Sequence, residues 1–375
     1  MLGTVILFVV VVAFAWNLGV HYTGAVMGMP YAARAIALWP ALALIAVFTV
    51  LGATFASGGV QETVGRRIIA DQLVTVPDAI VIVLAAGVLT TLYNYLRIPT
   101  STIQILVFCV VGVGLGGGIP IHWATIGQLA VVWAIAPLAA FALGFVFTRL
   151  LDLLVPPAAA RAEVTAQLAA SVSPSPRRER GTGSEDSPLS RAVPAVALAW
   201  HLPPDVWQAA GKVGRPTRAA LRLLPLLLVA VGIFASFVLG ANDVANATGA
   251  FILTHTFPLM LAGLIGGLAM AVGTLTWGQR ILHTVAFDVV KMDLSMASAA
   301  QGVQALVVLA AVTQGFFTSM NQALIGAMAG TGFARGRETV QRRQIVAILR
   351  GWLIGPLSGL ALAFALETLV RLTLR

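Results

Sequence analysis

The stretch "FVLGANDVANATGAF", Phe237 to Phe251, sets an aspartate between two asparagines directly after the apolar run "RLLPLLLVAVGIFAS" and ahead of another long apolar run. How much that placement means depends on the medium around it. Hydrophobic residues make up 59% of the 375-residue chain and charged residues 10%, against about 25% charged in a typical soluble domain. Mean hydropathy is +0.93. The bulk of the chain is therefore expected to sit in lipid.

A helix needs about 20 mostly apolar residues to cross a bilayer. Segments of that kind fall near 2–24, 35–56, 77–97, 102–119, 123–152, 221–240, 256–277, 298–318, 320–334 and 346–370. The expected fold is an all-α polytopic membrane protein with about ten transmembrane segments. Two of them, the Gly-rich 102–119 and the short 320–334, are too short or too broken for plain spans. They read as broken or re-entrant helices, whose backbone must be covered by protein or water. The opening segment "MLGTVILFVVVVAFAWNL" lacks the charged n-region and the cleavage site of a signal peptide, so it is expected to remain as a span. A single cysteine, Cys109, excludes an intrachain disulfide.

Residues 153–220 are a different material. Their centre, "VSPSPRRERGTGSEDSPLSRAVP", is rich in Pro, Ser, Gly and both signs of charge and cannot bury enough apolar surface to order itself. The chain thus divides into a first membrane repeat, 1–152, a hydrophilic linker, 153–220, and a second membrane repeat, 221–375. The linker carries Arg161, Arg177, Arg178, Arg180, Arg191, Lys212, Arg215 and Arg218, which the positive-inside rule puts in the cytoplasm. Five crossings on each side then place both termini outside, and the second basic loop, "ARGRETVQRRQ" with Arg335, Arg337, Arg342 and Arg343, falls inside as well. Basic residues next to lipid meet anionic headgroups. The net charge of +9 therefore calls for membrane lipid and not for nucleic acid.

An odd number of spans in each half means that, if the halves are copies, they face opposite ways, as two inverted repeats. Three echoes support copies. "NLGVHYTGAVMG" lies against "VLGANDVANATG" with Gly19 opposite Gly240, and "GRRI" at Gly65 matches "GQRI" at Gly278. Roughly 85 residues after Gly19 stands "PTSTIQILVFCVVGVG", and roughly 82 after Gly240 stands "FTSMNQALIGAMAGTG". Both have Thr-Ser, then Gln three residues past the Ser, then a run of small residues.

At these residues the chain resembles the inorganic phosphate transporters of the PiT type. Their hallmark Gly-Ala-Asn-Asp-Val-Ala-Asn stands intact at Gly240 to Asn246. Their Pro-x-Ser-Thr/Ser-x-His/Gln stretch is similar to Pro99, Ser101, Thr102 and Gln104 and, more loosely, to Thr318, Ser319, Asn321 and Gln322; "GFARGR", Gly332 to Arg337, matches a further segment. The likeness spans nearly all of the chain outside the linker and is strongest from 237 to 353. It implies a secondary transporter in the cell membrane that imports inorganic phosphate with a cation, Na+ or H+. No cofactor is implied beyond that transported cation.

The chemistry can be argued beside the resemblance. Of the 14 acidic residues, Asp243 alone lies deep between two apolar runs. An ionised carboxylate at bilayer depth costs at least about 2.5 kcal/mol. It needs a partner: a dehydrated Na+ held also by main-chain carbonyls and the amide oxygens of Asn242 or Asn246, or a proton. Gly240 and Gly249 flank the site and would let the helix unwind there. The plainer reading makes Asp243 the cap of a helix beginning at Val244, with Asn242 and Asn246 bonded to a neighbour. For the anion, Ser101, Thr102, Gln104, Thr318, Ser319, Asn321 and Gln322 place hydroxyls, amides and free N–H groups at helix starts, where oxyanions bind without a full opposing charge. Hydroxyls bonded back to their own helix are the alternative for each.

Several positions depart from the family. Opposite Asn242, Asp243 and Asn246 the first half has His21, Tyr22 and Ala25, so one copy of the family's duplicated acidic site is missing. A protonated His21 would help hold the anion and couple a proton to it; a neutral imidazole near a helix end, with Tyr22 as an interface aromatic, is the alternative. Phe317 stands in the place of Pro99, and Gln104 and Gln322 stand where many members have His.

Other patterns are weaker. His283, Asp288, Lys291 and Asp293 are not spaced for one helical face, so no metal site is expected there. The glycine run at Gly112 to Gly118 follows no strand and precedes no GK[ST], so it is no nucleotide loop. No catalytic constellation points to an enzyme. Three classes remain: a cation-coupled phosphate importer, a transporter of the same fold for another oxyanion such as sulfate, and a non-transporting membrane sensor or scaffold. A homo-oligomer is compatible with each.

Overall fold

The computed structural model describes residues 1–96, 100–155, 215–288, 292–336 and 342–373, with the side chains of 215–222, 283–288 and 342–349 excepted. Most of the expected linker, Pro99, Lys291 and Arg337 lie outside what is described, and of His283, Asp288, Arg342 and Arg343 only the backbone is described.

The first half runs α1 (Leu2–Ala32), α2 (Leu38–Phe55), a short α3 (Gly58–Glu62) that passes into a π-helical turn (Thr63–Arg67), α4 (Val76–Tyr95), α5 (Thr102–Gly117) and α6 (Trp123–Leu154). The second half runs α7 (Arg215–Asp243), α8 (Ala245–Leu253), α9 (Leu259–Asp288), α10 (Leu294–Thr313), α11 (Met320–Arg335) and α12 (Arg342–Thr373). Eight of these helices are long and apolar enough to cross a membrane among the described residues. The two segments expected to be too short are α5 and α11, each 16 residues. At 1.5 Å per residue each is about 24 Å long, less than the roughly 30 Å of hydrocarbon. The chain is thus an all-helical, multi-pass membrane protein, and the ten expected segments resolve into eight long helices and two short ones.

Lengths repeat between halves: α4 and α10 have 20 residues each, α5 and α11 16, α6 and α12 32. The stretch from Leu38 to Arg67 corresponds to the unbroken 30-residue α9. Close packing obeys the same duplication. A Cβ on Gly19 would lie 1.9 Å from the Met270 carbonyl oxygen, and one on Gly240 would lie 2.0 Å from that of Thr49, so neither position takes a side chain without moving a helix. Small residues of this kind let backbones touch where lipid supplies no hydrophobic drive. The Gly19–Gly240 pairing read from sequence therefore matches equivalent contacts, α1 on α9 and α7 on α2. The "GRRI" echo does not. Gly65 lies 27 residues after Leu38 in the π-helical turn, whereas Gly278 lies 19 after Leu259 inside α9.

Burial separates the helices into a centre and a rim. In its most apolar window α10 is 67% buried, against 28% for α6 and for α12. The outer pair exposes Val131, Ile135, Leu138, Leu353 and Leu357, as helices facing hydrocarbon do.

Two ion clusters fix which helix ends share a face. Arg335, the last residue of α11, bonds Asp152 near the end of α6 at 2.5 Å and Asp293 at the start of α10 at 2.8 Å. Arg371, near the end of α12, bonds Glu367 at 2.6 Å and approaches Asp78 at the start of α4 at 3.5 Å; its guanidinium also lies over Gly117, the last residue of α5. The ends of α6 and α11 therefore share one face with the start of α10, here termed the linker face. The ends of α5 and α12 share the opposite face with the start of α4. Arg335, read from the sequence as part of the second basic loop, is the last residue of α11, and its side chain is 4% exposed and internally paired. Three of the acids expected near span ends, Asp78, Asp293 and Glu367, are there but buried, and each has an arginine.

Candidate functional site

The site begins where α5 and α11 start. The loop before each helix arrives extended, at Ser101 with φ −99° and ψ 113° and at Ser319 with φ −71° and ψ 117°. Each serine hydroxyl accepts the N–H of the glutamine three residues on, Gln104 and Gln322, at 3.3 Å. This is why Thr-Ser-x-x-Gln recurs: the serine ends the loop and caps the helix. The two glutamine side chains then meet across the halves, Gln322 Nε2 donating to Gln104 Oε1 at 3.2 Å. Two helix N-termini, each with a partial positive charge, thus face one another from oppositely directed repeats.

The "GANDVAN" stretch lies beside them. Asn242 closes a double bond with the backbone of Thr318, Nδ2 donating to its carbonyl at 2.8 Å and Oδ1 accepting its N–H at 3.2 Å. Asn242 Nδ2 also donates to Asp243 Oδ2 at 2.9 Å, and Asn246 Nδ2 reaches Asp243 Oδ1 at 3.3 Å and Thr102 Oγ1 at 3.4 Å. Asp243 is fully buried. None of the ion pairs among the described residues includes it. Two amides and a nearby tyrosine hydroxyl are what its charge meets.

Two expectations about this stretch are corrected. Asp243 caps nothing: it is the last residue of α7, and α8 starts after Val244 with no side-chain cap. The helix does not unwind between Gly240 and Gly249 either. The break is the single residue Val244, whose φ −58° and ψ −35° are nearly helical. Gly249 instead admits Val64 of the π-helical turn, which would lie 2.3 Å from a Cβ there.

Tyr22 is the residue the sequence reading undervalued. It is fully buried in α1, not an interface aromatic. Its hydroxyl is 2.7 Å from Thr102 Oγ1 and lies within reach of the Asp243 carboxylate. The signal was available, since the Gly19–Gly240 alignment sets Tyr22 opposite Asp243. His21 points elsewhere, with its Nε2 3.3 Å from the Asn321 amide. The structure thus gathers Asp243, Asn242, Asn246, Thr102, Gln104, Thr318 and Gln322 into one connected cluster with the two serine caps, and His21 with Asn321 forms an adjoining pair. Beyond them, Gln301 donates to Ala25 O at 2.9 Å and to Gln304 Oε1 at 2.5 Å, and Gln304 reaches Met320 O at 3.3 Å. Neither glutamine was singled out from sequence. Of the segment read as a weak metal candidate, Asp293 is described, and it is occupied by Arg335, Ser295 and the Met296 N–H.

Several buried oxygens at the site lack a donor: Asn246 Oδ1, Thr318 Oγ1 and Gln322 Oε1. Unpaired buried acceptors are costly. Together with the Asp243 carboxylate they make an oxygen-rich set of the kind that hard cations take.

Comparison with known proteins bears on the family and the fold. The model of the phosphate transporter family matches residues 18–363. Relatives include the sulfate permease CysP of Bacillus subtilis, 24% identical over 95% of this chain and 85% of that protein. Another is the chloroplastic inorganic phosphate transporter 2-1 of Arabidopsis thaliana, 25% identical over 93% of this chain and 69% of that protein. A solved structure described as the sodium-dependent phosphate transporter superposes with a TM-score of 0.78, covering 99% of this chain and all of that one at 22% identity, which establishes the shared fold. With the family match running through both short helices and the Asn242–Asn246 cluster, the chain belongs to the phosphate transporter family.

Proposed function

We propose that this protein imports inorganic phosphate across the cell membrane together with a cation, Na+ or H+. The observation that carries the reading is Asp243, fully buried, held only by amide and hydroxyl groups, beside two facing capped helix N-termini. A lone buried carboxylate in an apolar medium calls for a cation, and the helix starts offer N–H groups and hydroxyls to a tetrahedral oxyanion. The cation at Asp243, with Asn242 and Asn246, lies next to the anion at Ser101, Thr102, Gln104, Thr318, Ser319, Asn321 and Gln322, so each partly neutralises the other during passage. No arginine or lysine among the described residues meets this cluster, which suits an anion that must also leave. The repeats 1–152 and 221–375 are the two bodies whose relative movement exposes the site to alternate sides, and the linker joins them on the cytoplasmic side. Trp123 and Arg371 then mark the outer face.

A transporter for sulfate is the second reading, favoured by the relative named as a sulfate permease and by Tyr22 standing opposite Asp243. Uptake of labelled phosphate and sulfate into proteoliposomes, with Na+ and proton gradients imposed separately, decides between them. Phosphate uptake driven by one gradient and lost in Asp243→Asn is the expected result. Uptake of sulfate alone selects the second reading, and uptake of neither by a folded protein leaves a sensor or scaffold.

A further inference from the structure

The bridge between the two helix starts leaves one oxygen over. Gln322 Nε2 donates to Gln104 Oε1 at 3.2 Å. Gln322 Oε1, on the same carboxamide, is buried and takes no hydrogen bond among the described residues. A bond between two carboxamides uses one N–H and one carbonyl oxygen. Turning both amides over would move the spare oxygen to Gln104 without removing it, so the orphan belongs to the pair.

The three unpaired oxygens of the site divide by position. Asn246 Oδ1 sits on the amide whose Nδ2 meets Asp243 Oδ1 at 3.3 Å, beside the carboxylate, where a cation is drawn. Thr318 Oγ1 is a hydroxyl and can give a proton as well as take one. Gln322 Oε1 can only accept. It stands where the starts of α5 and α11 meet, and two helix N-termini bring partial positive charge there. That field disfavours a cation, so the ligand that suits this oxygen is a hydrogen-bond donor.

The backbone around it offers the opposite chemistry. The first two N–H groups of each helix, those of Thr102 and Ile103 in α5 and of Met320 and Asn321 in α11, take no hydrogen bond among the described residues. The serine caps occupy the third, at Gln104 and Gln322. Free N–H groups serve any tetrahedral oxyanion. They cannot answer Gln322 Oε1, and an oxyanion without hydrogen would set its lone pairs against that oxygen. Sulfate at neutral pH has no hydrogen to give; phosphate carries one or two P–OH groups.

We propose that the spare carboxamide oxygen of the Gln104–Gln322 pair accepts a hydrogen bond from a protonated oxygen of the substrate. The site thereby selects hydrogen-bearing tetrahedral oxyanions, phosphate and arsenate, and rejects sulfate. This rests on the reading that places the anion at the two helix starts, and it names the group that decides which anion enters.

The test is equilibrium binding of labelled phosphate to the purified full-length protein in saturating Na+ at fixed neutral pH, with unlabelled anions as competitors. Monofluorophosphate is the decisive probe, because it has the shape and charge of hydrogen phosphate with fluorine in place of the hydroxyl. Arsenate is expected to displace phosphate within about threefold of phosphate itself, whereas sulfate and monofluorophosphate should need at least about 100-fold more. Gln322→Met removes the acceptor and should bring phosphate and sulfate within about tenfold of each other. Gln322→Glu keeps an acceptor oxygen and should keep the rejection of sulfate. A bridge that served structure alone would weaken all four anions equally. Sulfate or monofluorophosphate competing as well as arsenate, a selectivity unchanged in Gln322→Met, or no phosphate binding by the folded protein would overturn the proposal. Should Gln322→Met not fold, the monofluorophosphate comparison in the unaltered protein decides. Selective phosphate binding without uptake in vesicles would end the transport reading and leave this one standing; coupled uptake of sulfate in preference to phosphate would do the reverse.

Discussion

The two halves share a plan and differ in chemistry at two places. At the centre, the unbroken α1 offers Tyr22 where α7 ends in Asp243: a hydroxyl faces a carboxylate across the duplication. At the faces, Arg335 and Arg371 each bind two carboxylates, but they come from different helices of the repeat. The difference is that the charges at the faces are matched inside the protein, whereas the charge at the centre has no ion-pair partner among the described residues. Arginine-paired acids belong to the fold, and under the function proposed above Asp243 belongs to the cargo.

Arg335→Ala should test the first half of that statement most severely. It leaves Asp152 and Asp293 buried without their cation, and breaking a buried pair costs about 3–5 kcal/mol, read as a large fall in thermal midpoint in detergent. A midpoint within a degree or two of the unaltered protein would mean the cluster is not what ties α6, α10 and α11 together. Asp243→Asn sharpens the contrast. Removing a charge-assisted ligand worth about 3 kcal/mol should lower cation affinity and coupled uptake about 100-fold. The same change should leave the midpoint unchanged or raised in cation-free buffer, because a costly buried charge has gone. An Asp243→Asn protein as unstable as Arg335→Ala would erase the distinction between structural and functional acids.

Tyr22→Phe asks how much of the ion site the first half retains. Loss of its hydroxyl leaves Thr102 without that bond and should cost about 1 kcal/mol, a five- to tenfold rise in the phosphate concentration for half-maximal uptake. An effect equal to that of Asp243→Asn would show that the halves contribute alike. The smallest effect belongs to the glutamine bridge. Gln104→Ala and Gln322→Ala, combined in a double-mutant cycle, should show a coupling of about 0.5–1 kcal/mol in phosphate affinity. Coupling near zero would mean that the two helix starts act independently.

The sequence was most informative where chemistry is local. Length and hydropathy marked α5 and α11 as too short, and Thr-Ser-x-x-Gln at both starts encodes a serine cap that needs only three neighbouring residues. The cost of a carboxylate in lipid singled out Asp243. What escaped were contacts between distant parts of the chain. Tyr22 meets Thr102 across 80 residues and Asn242 meets Thr318 across 76, and no periodicity records such a meeting. Gln301 and Gln304 were hidden in α10 because buried polar residues on a central helix look like any interrupted apolar run. The break at Val244 was expected to be wide because glycines flank it; those glycines serve close helix contact. "GRRI" and "GQRI" misled because short basic-glycine strings recur by chance, and the true counterpart of α9 is interrupted at Ser57.

Arg371 and Asp152 occupy the same place in their helices, the thirtieth of 32 residues, as Arg335 and Gly117 do in theirs, the sixteenth of 16. Two first halves assembled together would bring acids to both surfaces with neither arginine to answer them. Two second halves would keep Asp293 and Glu367 beside the arginines but lose Asp78 and Asp152. The two halves are thus no longer interchangeable, and a fused chain of the first half with itself should fail to assemble even though its main helix pairs repeat those of the second.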